Sequence, residues 1–359
     1  MNLIIKNIIV ILGKGFFIFK NKKIPKNPKK ILIMRSGGIG DVIMSTPLIK
    51  AIKNHYKNAE ITYFVGNWSK AVLKDNPNID NLFTYDDLII VNMNIPGILK
   101  MIKQIRKEKF DMIFNLEKSW HWVILSFLFK IKTRVGFDRK GEGFANNLTA
   151  KFDGSKYELE YYLDLAELCK ITPKTKNMEV YLTKQEKQTA TNFIKNNKLN
   201  NIIGIAPGGA DNPAQQAFIK RWPVENYIEL INKLKNKQFI LFGGKNDIAT
   251  CNKIKQKTKN TISTAGKLTL KQSAALMQKC KLIITHDSGP MHLAATKTKV
   301  IALFGPTQAE RFAPKNAITI TSKSCKSCYT IYGEFKDCKS KKCMKSIKVR
   351  HVLSTVNKN

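Results

Sequence analysis

Acidic side chains are scarce in this chain: 26 Asp and Glu stand against 62 Lys and Arg, leaving a formal net charge of +36 on 359 residues. An excess of that size points to anionic partners, whether nucleic acid, an acidic membrane or a negatively charged substrate. Arginine is scarce too, seven residues in all, so the excess is almost entirely Lys scattered along the whole length. Nucleic-acid readers rely on Arg forks for base edges, and no helix-turn-helix, zinc-finger or RRM signature is present. No nucleic-acid partner is therefore expected, and part of the charge fits a compositional bias toward Ile, Lys and Asn. Long apolar runs are missing as well: no segment approaches the roughly 18 uninterrupted apolar residues of a spanning helix. The first residues show neither a basic leader region nor a small-residue cleavage site, so no secretory signal is expected. Cys169, Cys251 and Cys280 are dispersed and suit a reducing compartment better than a disulfide framework. The five His do not fall at metal-ligand spacing, and His55, His121, His286 and His351 read as structural or exposed.

What is present is regular alternation, and with 43% hydrophobic content the chain has material for two separate cores. Residues 4–19 are apolar but interrupted, and at about 100° per residue Asn2, Lys6, Asn7, Lys14, Lys20 and Asn21 share one arc. A helix with such a stripe lies on a membrane rather than crossing it, and the Lys-rich linker behind it adds roughly 1 kcal/mol per Lys at an anionic leaflet. The same pattern fits a helix packed on the protein's own surface. From residue 30, strand-like runs (31–34, 61–65, 110–114, 134–137) alternate with helical stretches (41–55, 98–109, 157–169). Residues 120–129 are apolar nearly all round and read as a buried helix. A second series begins at residue 201, with runs at 202–206, 239–242, 280–285 and 300–304, a loop at 207–216, and helices between. Strand, Gly turn, helix, strand is the grammar of parallel βαβ units. The expected class is therefore α/β, with two facing Rossmann-like domains and a cleft between them, residues 30–182 and 183–324. An N-terminal segment (1–29) precedes them and a Cys-containing segment (325–359) follows.

In open α/β sheets ligands sit beyond the carboxyl ends of the strands. After the first strand, Arg35-Ser36-Gly37-Gly38-Ile39-Gly40-Asp41 opens a helix; it is an incomplete dinucleotide fingerprint and lacks the P-loop Lys-Ser/Thr pair. Asp41 at that helix start can accept a proton from a substrate hydroxyl, an effect typically worth ~10²–10⁴-fold in rate, or it simply caps the helix. In the second series Gly208 and Gly209 let backbone N–H groups approach a phosphate. Lys220 precedes Arg221-Trp222-Pro223 and a helix, placed to neutralise charge on a leaving phosphate or to form a solvated basic corner. Asp247, after Gly243-Gly244, either faces ribose hydroxyls or caps a helix. Asp287, Ser288 and Gly289 lead into a helix whose free N–H groups favour an anion, although Asp and Ser are also ordinary caps. Cys325, Cys328, Cys338 and Cys343 put four thiols in nineteen residues; a structural metal, free thiols and redox pairing all remain open.

Taken together and in order, residues 31–50 with Gly40-Asp41-Val42 and Thr46-Pro47, then Lys220-Arg221-Trp222-Pro223, Asp287-Ser288-Gly289-Pro290-Met291-His292 and Phe304-Gly305-Pro306-Thr307, resemble glycosyltransferase family 9, the lipopolysaccharide heptosyltransferase group. The likeness spans about residues 30–350. It implies a GT-B fold with an N-terminal acceptor domain and a C-terminal donor domain, an inverting transfer without a catalytic metal or other cofactor, and a nucleotide-sugar donor, typically ADP-heptose. The implied acceptor is a growing lipopolysaccharide core or other lipid-linked glycan, and the implied location is cytoplasmic, peripheral on the inner membrane. By position, Asp41 matches the family's proposed general base and Lys220 its phosphate-contacting Lys. Asp287, Ser288, Gly289 and His292 match the donor-phosphate motif, with Gly208, Gly209 and Asp247 beside the nucleotide. Gly38, Arg134 and Arg139 are expected on the acceptor side, and the four C-terminal Cys are candidates for a structural zinc. Gly37-Gly38 and Pro207-Gly208-Gly209 depart from the hydroxyl-bearing residues seen at these places, which leaves the donor sugar open. The alternatives are a family 9-like transferase with another nucleotide sugar, or a basic, non-catalytic protein binding anionic lipid or nucleic acid.

Overall fold

A computed structural model describes residues 3–17, 23–335, 338 and 342–359. The chain divides into two compact units, Met1–Glu179 and Val180–Asn359; the sequence reading puts the boundary at Leu182, in the same irregular stretch.

The first unit holds one sheet of β1 (Lys30–Met34), β2 (Glu60–Gly66), β3 (Asn81–Tyr85), β4 (Met112–Asn115), β5 (Thr133–Asp138) and β6 (Leu148–Lys151). The strand order is β3-β2-β1-β4-β5-β6, and every neighbouring pair is parallel. Parallel sheets are covered on both faces, so their central strands are apolar throughout rather than alternating. Ile31, Leu32, Ile33 and Met34 are fully buried, as are Met112, Ile113 and Phe114. The helices in chain order are α1 (Leu3–Phe16), α2 (Ile39–Met44), α3 (Thr46–His55), α4 (Asp87–Val91), α5 (Ile95–Lys107), α6 (Trp120–Leu128) and α7 (Glu158–Leu168).

Two of these differ from the sequence reading. The single helix expected over residues 41–55 is broken at Ser45, because Pro47 has no N–H to give the Ile43 carbonyl. The Thr46 hydroxyl donates to that carbonyl instead, at 2.7 Å. The apolar stretch 120–129 is not buried all round: Phe127 and Leu128 are exposed. Its breadth has another cause. Trp122, Leu125 and Phe129 face the sheet core around Met34 and Phe64, while Trp120, Val123 and Ile124 face Val10, Ile9 and Phe17 at the N-terminal helix. A helix pressed between a sheet and another helix needs two apolar faces.

The second unit repeats the plan with β7 (Ile202–Ala206), β10 (Gln238–Leu241), β11 (Thr261–Ser263), β12 (Leu282–His286), β13 (Lys299–Phe304) and β14 (Ala317–Thr321), in the order β11-β10-β7-β12-β13-β14, all parallel. A small antiparallel pair, β8 (Asp211–Asn212) and β9 (Gln215–Gln216), occupies the expected loop. The helices are α8 (Lys184–Asn196), α9 (Val224–Lys233), α10 (Ile248–Gln256), α11 (Leu270–Met277), α12 (Gly289–Ala295), α13 (Ala309–Phe312), α14 (Lys342–Ser346) and α15 (Val349–Asn357). Reciprocal capping boxes start two of them: Thr183 with Glu186 for α8 and Thr269 with Gln272 for α11. The C-terminal segment belongs to this core, contributing Cys343, Met344, Ile347, Val349, Val352 and Val356.

In each unit the strand order reverses at the centre, between β1 and β4 and between β7 and β12. At such a point the connections depart to opposite faces and leave a crevice at the carboxyl ends of the two strands. The packing behind it is tight. A Cβ on Gly204 of β7 would lie 2.2 Å from Ile283 and 2.7 Å from the Phe242 ring. Gly204→Ala is therefore expected to cost about 1–3 kcal/mol of stability through overpacking, read as a lowered melting temperature; an unchanged value would show a looser core.

Candidate active site

The first cluster is built by the two loops that leave β1 and β4. Met34 and Asn115 are register partners at the strand ends. The next residues on each side, Arg35 and Ser36 after β1 and Glu117 after β4, meet over the switch point. Arg35 Nη2 lies 3.0 Å from Asp41 Oδ1 and its Nη1 lies 2.5 Å from Glu117 Oε2. Glu117 Oε1 accepts from the Ser36 N–H at 2.7 Å and from the Ser36 hydroxyl at 2.9 Å. Burial alone would make Arg35 easier to deprotonate, but Asp41 and Glu117 outweigh it and hold the guanidinium charged. Around this charged group Tyr63, Tyr85 and Tyr162 are buried, and burial holds their phenols well above the ordinary value.

Asp41 sits in the first turn of α2 and does not cap it: the N-cap is Gly38, with no side-chain cap bond. Gly38 stands beside Asp41, with a Cβ there 3.4 Å from Oδ2. Arg134 and Arg139, expected on the acceptor side, are both engaged within the first unit. Arg134 is buried and spends its guanidinium on the carbonyls of Ala145 and Ile131, both at 2.7 Å. Arg139 is buried against Glu142 at 2.7 Å, and that carboxylate also accepts from the Trp120 N–H. Both Arg serve the loops around β5 because a buried guanidinium must find acceptors nearby.

The second cluster lies at the ends of β7 and β12. Lys220 Nζ is 2.9 Å from Asp287 Oδ2. Burial would raise the Asp287 carboxyl, but the Lys220 ammonium, helped by His292 and the Thr307 hydroxyl, outweighs it and holds Asp287 below the usual carboxylate range. Three rings surround the ammonium, with centroids 6.0 Å away for Phe312, 5.5 Å for Tyr329 and 5.8 Å for Phe335. Arg221, not singled out from sequence, donates from Nε to the Gly209 carbonyl at 2.9 Å and reaches Asp247 Oδ1 at 3.2 Å. Asp247 also accepts from the N–H groups of Gly209 and Gly244, at 2.9 and 3.0 Å. Its carboxylate thus ties the glycine loop to Arg221, which is a more internal task than facing a ribose. Gly208 is obligatory, since a Cβ would sit 2.0 Å from that carboxylate, and Gly209 adopts φ +77°. Trp222, the next residue in the chain, is anchored in the core: it is buried, packs edge-on against Tyr227 and donates to the Ile347 carbonyl at 2.8 Å.

Ser288 is the N-cap of α12 by position, yet its hydroxyl donates to the His286 carbonyl at 3.1 Å rather than capping. Gly289 opens α12, and His292 is buried in it. His286 is buried with neither ring nitrogen hydrogen-bonded, and burial pushes it down to about 3, so it is neutral. Cys169, Cys251 and Cys280 are buried, and burial pushes each thiol up to about 12.

Of the four C-terminal Cys, Cys325 is exposed, Cys328 and Cys338 are half-buried and Cys343 is buried. Among the described residues no group of three or more His, Cys, Asp or Glu is arranged to hold a metal ion. Tyr329 and Phe335 of this segment wall Lys220. Cys328 and Tyr329 donate backbone N–H groups to the Pro306 carbonyl at 3.0 and 3.1 Å, and Gln215 donates to the Gly333 carbonyl at 2.9 Å. Nothing in the sequence pointed to Tyr329 and Phe335, because their partners are distant along the chain.

Lys220→Ala leaves Asp287 buried without its cation and is expected to cost about 3–5 kcal/mol, read as a lowered melting temperature. Adding Asp287→Asn should recover much of the loss; no recovery would mean that the two side chains do not depend on each other. In the wild type, Asp287 has a depressed folded value, so its contribution is present above the unfolded carboxyl value and is lost as pH falls through the folded one.

The family model for glycosyltransferase family 9 (heptosyltransferase) matches residues 98–344. The lipopolysaccharide core heptosyltransferase OpsX of Haemophilus influenzae is 28% identical over 80% of this chain and 82% of its own length. Lipooligosaccharide heptosyltransferase 2 of the same species is 30% identical, over 79% of this chain and 85% of its own. The structure of the E. coli ADP-heptose LPS heptosyltransferase II superposes with a TM-score of 0.71 at 23% identity, covering 92% of this chain and 98% of that one. The two-unit architecture is that of the GT-B class, and the chain belongs to glycosyltransferase family 9, the heptosyltransferases.

Proposed function

We propose that this glycosyltransferase moves a heptose from ADP-heptose to a lipopolysaccharide core acceptor by direct displacement. The relatives' names supply the sugar, the nucleotide and the acceptor class. The observation that carries the reading is the second cluster: two cations, Lys220 and Arg221, held by buried carboxylates beside a glycine loop. Negative charge grows on the nucleoside diphosphate as the glycosidic bond breaks, and cations already fixed there favour the transition state over the bound donor. In the first unit Asp41 takes the proton from the acceptor hydroxyl whose oxygen attacks the anomeric carbon. No step of this route calls for a metal ion. A panel of ADP-, UDP-, GDP- and CMP-linked sugars tests the donor by thermal shift, since a ligand at 100 times its Kd adds ~2.7 kcal/mol. Stabilisation by ADP-heptose alone is expected; a shift with another nucleotide sugar would change the product, and no shift at all would remove the transferase reading.

The acceptor is lipid-linked, and the surface of the first unit supports a membrane-facing role on the cytoplasmic side. Of the polar N-terminal stripe, Asn2, Lys20 and Asn21 lie outside the described residues. The helix α1 buries Val10 against α6, and its Phe17 flank stacks on Phe127. Its other face leaves Ile8, Ile11, Leu12 and Phe16 exposed. The helix is thus both packed on the protein and apolar outward. Exposed Leu88, Val91, Met93, Ile95 and Leu99 on and between α4 and α5 continue this character, followed by exposed Lys100, Lys103 and Lys107. Apolar side chains entering the interface and Lys at an anionic leaflet act together. Among the described residues no helix is long and apolar enough to cross a membrane. Ile11→Asp with Leu12→Asp alters only the outward face and should release the protein from anionic vesicles in a sedimentation assay; undiminished binding would exclude α1 as the contact.

A further inference from the structure

We propose that Glu117 is a positioning residue for the transfer reaction: acting through Arg35, it orients Asp41 and keeps it able to accept a proton. The proposal rests on Asp41 being the base.

Glu117 stands just past the end of β4 and reaches the loop after β1. All of its contacts there converge on one device. One carboxylate oxygen takes the Ser36 N–H and hydroxyl, and the other takes Arg35 Nη1 at 2.5 Å. The remaining arm of the same guanidinium, Nη2, holds Asp41 Oδ1 at 3.0 Å. The loop is shaped to this arrangement: a Cβ on Gly37 would lie 3.1 Å from the guanidinium carbon, and the Ser69 hydroxyl fixes the Gly37 carbonyl at 2.6 Å. Glu117 is itself oriented by the Asn115 side chain, which accepts its N–H at 3.0 Å and donates to the Trp122 carbonyl at 3.3 Å.

The charges explain why two carboxylates share one cation. A carboxylate paired one-to-one with a buried Arg is a poor base, because the guanidinium favours its charged form. With Glu117 on the other arm, the group of Arg35, Asp41 and Glu117 carries one net negative charge inside a shell of neutral Tyr63, Tyr85 and Tyr162. Arg35 then fixes the direction of Asp41 while its charge is shared with Glu117. Asp41 is the most exposed of the three, with 28% side-chain exposure against 12% for Arg35 and 8% for Glu117. The reactive end of the device therefore faces outward and its support is inside.

The test uses the full chain, transfer from ADP-heptose to heptose-deficient core lipopolysaccharide, and ADP titration for the donor site. Glu117→Gln keeps the shape and removes the charge; kcat is expected to fall by ~10–100-fold with the ADP Kd and the donor KM within about 2-fold of wild type. Arg35→Lys, which cannot fork between two carboxylates, should show the same split. In an Asp41→Asn background, itself reduced by at least ~100-fold, Glu117→Gln should add less than about 2-fold, because both act through one proton transfer. Wild-type kcat in Glu117→Gln, or losses that multiply in the double variant, would overturn the proposal while leaving Asp41 as the base. Near-full activity of Asp41→Asn would remove the base assignment and Glu117 with it. Should Glu117→Gln fold poorly, Ser36→Ala, which takes away one of the two Ser36 bonds to Glu117, carries the same prediction in weaker form.

Discussion

Both units depend on carboxylates that hold cations at the carboxyl ends of their central parallel strands. Taking Lys220 or Arg35 out of water costs several kcal/mol, and only a partner in good geometry offsets it. Asp287 and Asp247 do this in the second unit, Asp41 and Glu117 in the first. The strand order makes the arrangement possible. Where it reverses, two loops leave neighbouring strands in opposite directions and their first residues come face to face without steric competition. The same constraint applied twice gives one crevice built around a shared guanidinium and another built around two fixed cations.

The two clusters differ in composition. The second holds two cations, each already oriented by its own carboxylate, and in the proposed reaction little reorganisation is needed when phosphate charge develops. Its aromatic wall of Phe312, Tyr329 and Phe335 restricts the Lys220 ammonium and lowers the local polarity. The first sets two carboxylates on one guanidinium. Buried neighbours anchor both loops, Trp222 beside Arg221 through the Ile347 carbonyl and Asn115 through the Glu117 N–H.

The excess of Lys is spread too widely to belong to either cluster. On the first unit exposed Lys100, Lys103 and Lys107 follow exposed apolar side chains of α4 and α5, and the proposed membrane-facing role would use both. The N-terminal helix shows how one element serves both needs: Val10 faces inward to Val123 and Phe144, while Ile11 and Leu12 face out.

From the residues alone came the alternation of apolar runs and Gly turns, hence two parallel α/β units, and the loops in which the functional side chains stand. Local order is enough for that, because strand, turn and helix patterns are short-range. The family likeness rested on the same short motifs, and the Asp41, Lys220 and Asp287 that it singled out stand close behind the carboxyl ends of β1, β7 and β12. What each side chain does was decided by partners distant along the chain. Glu117 reaches Arg35 across 82 positions, Arg221 reaches Asp247 across 26, and Tyr329 comes to Lys220 only because the Cys-bearing segment folds back on Pro306. Arg134 and Arg139 read as acceptor-facing cations in one dimension, but burial obliged them to spend their donors on neighbouring carbonyls and Glu142. Composition and spacing carry no information about which donor meets which acceptor; that is fixed when the sheets order their strands and bring separate loops to one crevice.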